Sequence, residues 1–333
     1  MDGVLIVDKP AGLTSHDVVA RVRRSLGERR VGHTGTLDPL ATGVLVVLVG
    51  RATRLAQFLS GAEKEYEALI RFGYSTDTGD VTGKPLTGEA RKPLTSEAGK
   101  SLSSEHIDES AAAGNLTAWG REEIEAALAA LRGEIDQVPP MYSAKKMKGK
   151  KLYELARRGV EVEREPVRVT IHELEALSLD EDLSRRNEDG TRDLHVRVVC
   201  SAGTYVRTLA ETIGERLGTP AHLAALRRTR AGDFRIEDAL TLEELAEKAA
   251  EGDKPSLLLS TDAALSRLPF LHLTAEEARA ARNGMALRAE GASAKAWRDG
   301  ERVRLRDGEG ELLGVAVYDR AAGRLRPRVV LWP

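Results

Sequence analysis

The stretch Arg30-Val31-Gly32-His33-Thr34-Gly35-Thr36-Leu37-Asp38-Pro39-Leu40-Ala41-Thr42-Gly43-Val44-Leu45 sets a single carboxylate in a glycine-punctuated turn just ahead of an apolar run, Val44 to Val49. Gly32, Gly35 and Gly43 open backbone conformations closed to other residues, and Pro39 fixes its own φ directly after Asp38. The unbroken Val/Leu run predicts a strand covered on both faces. Ordinary Asp-Pro turn chemistry, with the carboxylate accepting a local backbone hydrogen bond, accounts for Asp38 and Pro39. It leaves His33, three glycines and three threonines unexplained. The stretch therefore reads as a stiff loop that presents Asp38.

Working outward, Gly3 to Val7 reads as a strand and Ser15 to Leu26 as a helix. Thr14 and Asp17 form a capping-box start, Val18, Val19, Val22 and Leu26 the apolar stripe, and Gly27 the stop. Arg51 to Leu59 reads as another short helix. Tyr66, Ala68, Ile70 and Phe72 alternate with Glu67, Leu69 and Arg71, a mostly buried strand that puts Tyr66 on an apolar face. Residues 85–118 turn rich in Ser, Thr, Gly, Ala and Glu and lose periodicity, so they read as a flexible surface insertion. Glu122 to Leu131 resumes as a helix. An alternating strand over Leu194 to Val199 then leads through Ser201-Ala202-Gly203 into a helix carrying Val206, Leu209, Ala210, Ile213 and Leu217 on one side. Tyr205 and Arg207 stand at that strand-to-helix junction, where side chains project into a cleft.

The chain has 333 residues and 41% hydrophobic content, which fits one large domain plus a smaller one. A linker falls near Leu265 to Pro269. Residues 270–333 follow as short runs, Arg302 to Leu305, Leu312 to Tyr318 and Arg326 to Leu331, split by Gly-rich turns in the manner of a small β domain. Cys200 is the sole cysteine, which excludes an internal disulfide and favours a reducing cytoplasm; it reads as a small buried residue at a strand end. Neither a leader peptide nor a membrane span is legible.

Net charge is −2, yet its distribution is uneven. Between Met141 and Arg158, seven Lys or Arg (Lys145, Lys146, Lys148, Lys150, Lys151, Arg157 and Arg158) face one acid, Glu154, with Tyr142, Met147 and Tyr153 interleaved. A lysine run is most often a solvated face; the interleaved residues, together with the family resemblance given below, turn this one towards a phosphate-binding patch. Residues 270–333 carry twelve basic against nine acidic residues. No Walker loop, dinucleotide glycine fingerprint or zinc-type His/Cys spacing occurs, so no cofactor and no metal are expected.

The Asp38 stretch resembles the catalytic motif of the TruB family, tRNA pseudouridine synthases. So, in family order, do Gly3-Val4-Leu5-Ile6-Val7-Asp8-Lys9-Pro10-Ala11-Gly12, Lys64-Glu65-Tyr66, Pro140-Met141-Tyr142-Ser143-Ala144-Lys145, Gly203-Thr204-Tyr205-Val206-Arg207-Thr208, and Ala221-His222-Leu223 with Leu226-Arg227-Arg228. The resemblance implies an α+β pseudouridine synthase fold with a mixed, largely antiparallel central sheet. It divides the chain into a catalytic domain over residues 1–265, with a thumb-like RNA-binding loop at 131–162, and a PUA-like RNA-binding domain over 270–333.

It further implies isomerisation of the T-loop uridine at position 55 of tRNA by a cytoplasmic monomer. Asp38 is then the nucleophile or base and Arg207 its partner, whose guanidinium lowers the carboxyl pKa and orients it. Tyr66 lies against the uracil and assists loss of the C5 proton, Tyr205 and Leu226 complete the pocket, and His33 contacts the reorganised RNA loop. Lys145, Lys146, Lys148, Lys151, Arg227 and Arg228 are expected on the RNA backbone. Reaching Asp38 requires the base to leave its stack, which costs least in a loop. An RNA-binding protein with a merely structural Asp38 is the competing reading, and the same chemistry on another RNA a third.

Overall fold

The computed structural model describes residues 1–86, 118–143, 145–147, 149–156, 158–160, 162–177, 183–289 and 296–331. Five strands come first: β1 (Gly3–Lys9), β2 (Val31–His33), β3 (Thr42–Val49), β4 (Lys64–Phe72) and β5 (Gly133–Gln137). A hairpin of β6 (Lys146–Met147) and β7 (Lys150–Lys151) precedes β8 (Val167–Ala176), β9 (Ser184–Arg186), β10 (Arg192–Cys200), β11 (Ala221–Ala231) and β12 (Phe234–Arg235). All but the hairpin join one sheet in the order β1-β3-β11-β4-β10-β8-β5, with β2, β12 and β9 paired to β3, β11 and β10. Among the described residues of this sheet only β3 with β11 runs parallel; the other pairings are antiparallel. The fold is α+β with a mixed, largely antiparallel sheet.

Helices pack where the apolar stripes direct them. Helix α1 (Ser15–Leu26) starts at a Thr14/Asp17 capping box and ends at Gly27 with φ 70°. Helices α2 (Ala56–Leu59), α3 (Arg121–Ala129), α4 (Leu152–Ala156), α5 (Val206–Arg216), α6 (Leu242–Glu251) and α7 (Ala275–Arg282) follow. Leu45, Val47 and Val49 of β3 bury against Val18, Val19, Val22 and Leu26 of α1 and Leu242 and Leu245 of α6. Val44, Val46 and Leu48 face the other way, against Leu55, Phe234 and Leu265. This two-sided burial is what the uninterrupted apolar run demands. On β4 the alternation sends Tyr66, Ala68, Ile70 and Phe72 into a core shared with α3, α5 and β10, while Glu65, Glu67 and Arg71 stay at the surface side.

The helix expected over Arg51–Leu59 is mostly a 3-10 turn, Gly50–Leu55, with one α turn after it. The 3-10 form rises about 2.0 Å per residue against about 1.5 Å in an α-helix, and here it seats Ala52 and Leu55 in the core. The insertion expected at 85–118 lies, save its end residues, outside the described residues.

The C-terminal residues build a five-stranded sheet from β13 (Phe270–His272), β14 (Leu287–Arg288), β15 (Arg302–Arg306), β16 (Leu312–Asp319) and β17 (Arg324–Val330), in the order β13-β15-β16-β17-β14. It has its own core of Leu273, Ala278, Trp297, Val303, Leu305, Tyr318 and Leu325. Val315, Val329 and Leu331 leave that core and pack instead on Val44, Val46 and Leu48 of the larger sheet. Arg51 and Arg54 donate to the carbonyls of Leu331 and Val330, both at 2.7 Å. Among the described residues no helix is long and apolar enough to cross a membrane.

Candidate active site

The loop between β2 and β3 is pinned from four sides, which explains how a turn becomes stiff. Ser15 Oγ and the Leu37 backbone exchange hydrogen bonds of 2.9 and 3.1 Å. Gly12 N–H donates to Pro39 O at 2.8 Å, and the Arg228 guanidinium donates to Gly35 O at 3.2 Å and Val44 O at 2.7 Å. Lys9, fully buried, spends its ammonium on the carbonyls of Pro10, Leu13 and Pro39. Burial brings its pKa down to about 8, while the charge of Asp38 works against that fall. Gly43, at φ 98°, lets β3 and β11 close on each other: a Cβ there would stand 2.2 Å from Arg228 O.

Asp38 meets Arg207 across this loop. Arg207 Nε lies 3.0 Å from Asp38 Oδ2; the guanidinium is 5% exposed and the carboxylate 35%. A charged donor is thus buried behind a carboxylate that stays partly open to solvent. Its other nitrogens donate to Thr78 O at 2.9 Å and Tyr142 O at 2.7 Å, and Asp80 Oδ2 stands 3.7 Å from Nη1. Arg207 therefore ties α5 to the Asp38 loop, to the turn at 76–80 and to the segment around Tyr142. Burial raises the Asp38 carboxyl above its ordinary value; Arg207 pulls it back, Asp80 pushes it further up and Lys9 pulls it down. Arg207 acts in the expected direction, but desolvation outweighs it.

Asp80 is a participant that sequence reading missed. It is 4% exposed and its Oδ1 accepts hydrogen bonds from Thr78 Oγ1, Thr82 N and Thr82 Oγ1 at 2.9, 3.0 and 2.5 Å. The run Thr76-Asp77-Thr78-Gly79-Asp80-Val81-Thr82 looks like plain turn chemistry, so only its three-dimensional position next to Arg207 gives it weight. Gln137 is another: its Oε1 accepts Tyr205 N–H at 3.0 Å, fixing the start of α5.

The two candidate tyrosines divide in character. Tyr66 is 8% exposed in one cluster with Leu37, Ala41, Val206 and Leu226. Burial raises its pKa, against the pull of a hydrogen bond from Arg228, so the phenol stays protonated at neutral pH. Tyr205 is half-buried at the N-cap of α5. His33 is half-buried with its ring edge-on to His16, and its Nδ1 finds no hydrogen-bond partner among the described residues. Asp38, Arg207, Tyr66 and Leu226 are thus brought together, with Tyr205 and His33 on the adjoining elements.

The basic residues fare unevenly. Arg228 is 2% exposed and committed to backbone carbonyls and Tyr66, so it is removed from the phosphate-binding set: it braces the site from behind. Arg227 remains at the surface, paired with Asp8 at 2.7 Å. Lys145 is half-buried just before the β6–β7 hairpin. Lys148 lies outside the described residues, as do the side chains of Lys146 and Lys151.

Three family models now cover the chain almost end to end. The TruB family pseudouridylate synthase N-terminal domain matches residues 23–110 and 94–206, the tRNA pseudouridylate synthase B C-terminal domain matches 207–266, and the Pseudouridine synthase II TruB C-terminal model matches 269–331. This chain belongs to the TruB family. Among relatives, the tRNA pseudouridine synthase B of Geobacillus thermodenitrificans is 47% identical over 288 residues, 86% of each chain. That of Bacillus thuringiensis is 45% identical over 291 residues, 87% of this chain and 85% of the other. In solved structures, a chain of the archaeal box H/ACA sRNP Nop10-Cbf5 complex superposes with a TM-score of 0.66 at 25% identity, covering 99% of this chain and 86% of that one. A chain of a Cbf5-Nop10-Gar1 complex gives 0.68 at 24% identity over 99% and 85%, a likeness of fold. The TruB assignment places the Asp38–Arg207 pair in an isomerase acting on tRNA.

Proposed function

We propose that this TruB family isomerase converts the T-loop uridine at position 55 of tRNA to pseudouridine, with Asp38 acting on the ribose of a flipped nucleotide. The observation that carries the reading is the 3.0 Å Asp38–Arg207 pair at the junction of a pinned loop and the start of α5. The reaction breaks the N1–C1′ bond, turns the uracil, joins C5 to C1′, and moves the C5 proton to solvent while N1 gains one. Asp38 serves by attack on C1′ or by removing the C2′ proton. Both demand an ionised carboxylate, which the buried guanidinium stabilises and orients. Tyr66 and Leu226 supply an apolar wall for the detached base, and the neutral Tyr66 hydroxyl stays available as a proton carrier at C5.

His33 and Tyr205 are assigned to the RNA loop and the pocket rim, and Lys145, Lys146, Lys148, Lys151 and Arg227 to its backbone through the thumb-like loop at 131–162. Residues 1–265 form the catalytic domain and 270–333 a PUA-like RNA-binding domain, in a cytoplasmic monomer without cofactor or metal. The test is Asp38→Asn on an unmodified tRNA transcript. Pseudouridine formation drops by at least about 10⁴-fold while tRNA still binds; normal turnover by the variant would falsify the assignment. Mapping pseudouridine in RNA from cells with and without the gene reads the position.

A further inference from the structure

Glu211 stands on α5 one turn after Arg207, and residues four apart on a helix are neighbours on one face. Both press on the turn at 76–80. Gly79 there has φ 73°, and the place a Cβ would take is filled by the Glu211 carboxyl, with Oε1 2.8 Å and Cδ 3.3 Å away and Arg207 Cβ at 3.5 Å. Gly79 O also accepts Leu223 N–H at 3.0 Å, and Val81 N–H donates to Leu223 O at 2.9 Å. The turn is thus held to β11 by its backbone while α5 bears on it through two side chains.

Arg207 takes its bearings from the same turn. Its Nη1 donates to Thr78 O at 2.9 Å and stands 3.7 Å from Asp80 Oδ2, while its Nε faces Asp38 Oδ2 at 3.0 Å. A shift of the turn is therefore a shift of the guanidinium against Asp38. Glu211 itself accepts no hydrogen bond and joins no ion pair among the described residues. The charges facing it are Glu215 and Arg207 on its own helix, Arg164 from the segment before β8 and Asp80 from the turn, two acids against two bases. With no donor holding it, the carboxyl serves the turn by reach and bulk.

We infer that Glu211 is a positioning residue for the isomerisation: its carboxyl wedges against Gly79 and keeps Thr78 and Asp80 where they aim Arg207 at Asp38. The inference rests on the catalytic reading above and adds a residue that acts only through Arg207.

The experiment separates reach from charge. Glu211→Asp keeps the charge and withdraws the carboxyl by one methylene, whereas Glu211→Gln keeps the length and drops the charge. In single turnover on an unmodified tRNA transcript, Glu211→Asp slows the reaction about tenfold to a hundredfold with tRNA affinity unchanged, which also shows the fold intact. Its acidic midpoint rises as well, because Asp38, faced by Arg207, Asp80 and Lys9, loses part of the guanidinium's pull. Glu211→Gln keeps the parent rate and does not raise the midpoint. A parent-like rate for Glu211→Asp overturns the proposal, as does a loss confined to affinity or a Glu211→Gln variant as slow as Glu211→Asp. Failure of the parent chain to modify the transcript would instead refute the catalytic reading.

Discussion

Asp38 is held in tension between desolvation and its cationic neighbours, and desolvation wins. For an acid, a raised folded-state pKa means that the ionised form is the one burial penalises. Two outcomes follow. The single-turnover rate falls on acidification with a midpoint above 3.8, the ordinary aspartate value, and Arg207→Met moves that midpoint higher still while cutting the rate. A midpoint at or below the ordinary value would contradict the account. Second, Asp38 ionisation costs fold stability at pH above its folded pKa, so Asp38→Asn raises Tm at pH 8, and the gain disappears near pH 3. Parallel melts of the two proteins across pH check this. Arg207 itself could be picked from the Gly-Thr-Tyr-Val-Arg motif, but its three further acceptors could not, because Thr78, Asp80 and Tyr142 are 65 to 129 residues away in the chain.

At the scale of elements, α1, β3 and β4 were legible because each satisfies its own rule: a capping box with a 3.6-residue stripe, an unbroken apolar run, and strict alternation. The turn at 76–80 was not. Its Thr, Asp and Gly serve local hydrogen bonding equally well in any loop, and only the close approach of α5 gives it a role. Helix α5 also carries Glu211, packed against Gly79, whose carboxyl burial lifts to about 7 with Glu215 adding to the rise. Its stability cost is absent below the ordinary value of 4.5 and complete once pH exceeds about 7. Glu211→Gln should therefore raise Tm at pH 8 and leave it unchanged at pH 4. Gly43 gives a second prediction at this scale. Gly43→Ala combines a φ of 98° with a Cβ 2.2 Å from Arg228 O; it should cost about 3 kcal/mol or more, measured by urea unfolding. A loss below about 1 kcal/mol would mean that the β3–β11 contact yields easily.

At the scale of the whole molecule, the two sheets share a hydrophobic seam. The β13–β17 sheet was readable from short runs and Gly-rich turns, yet nothing in those runs marks Val315, Val329 and Leu331 as belonging to the other sheet's core. Residues of one strand alternate between two cores, and sequence alone does not say which faces which. A chain truncated after residue 265 would bare Val44, Val46 and Leu48 on one face. It is expected to melt at least several degrees lower and to bind a hydrophobic dye at room temperature; a fully stable, dye-silent truncation would show the seam to be dispensable. Arg304 adds to the join, reaching the carbonyls of Asp262, Ser266 and Leu268 from β15.

One guanidinium nitrogen of Arg207 is anchored on Tyr142 O, in the very segment that leads into the basic hairpin. Any displacement of that segment must tug on the same planar group that faces the carboxylate. The nitrogen that holds Tyr142 O and the nitrogen that faces Asp38 Oδ2 are bonded to one planar carbon, so a displacement at the one end turns the other like the two arms of a lever.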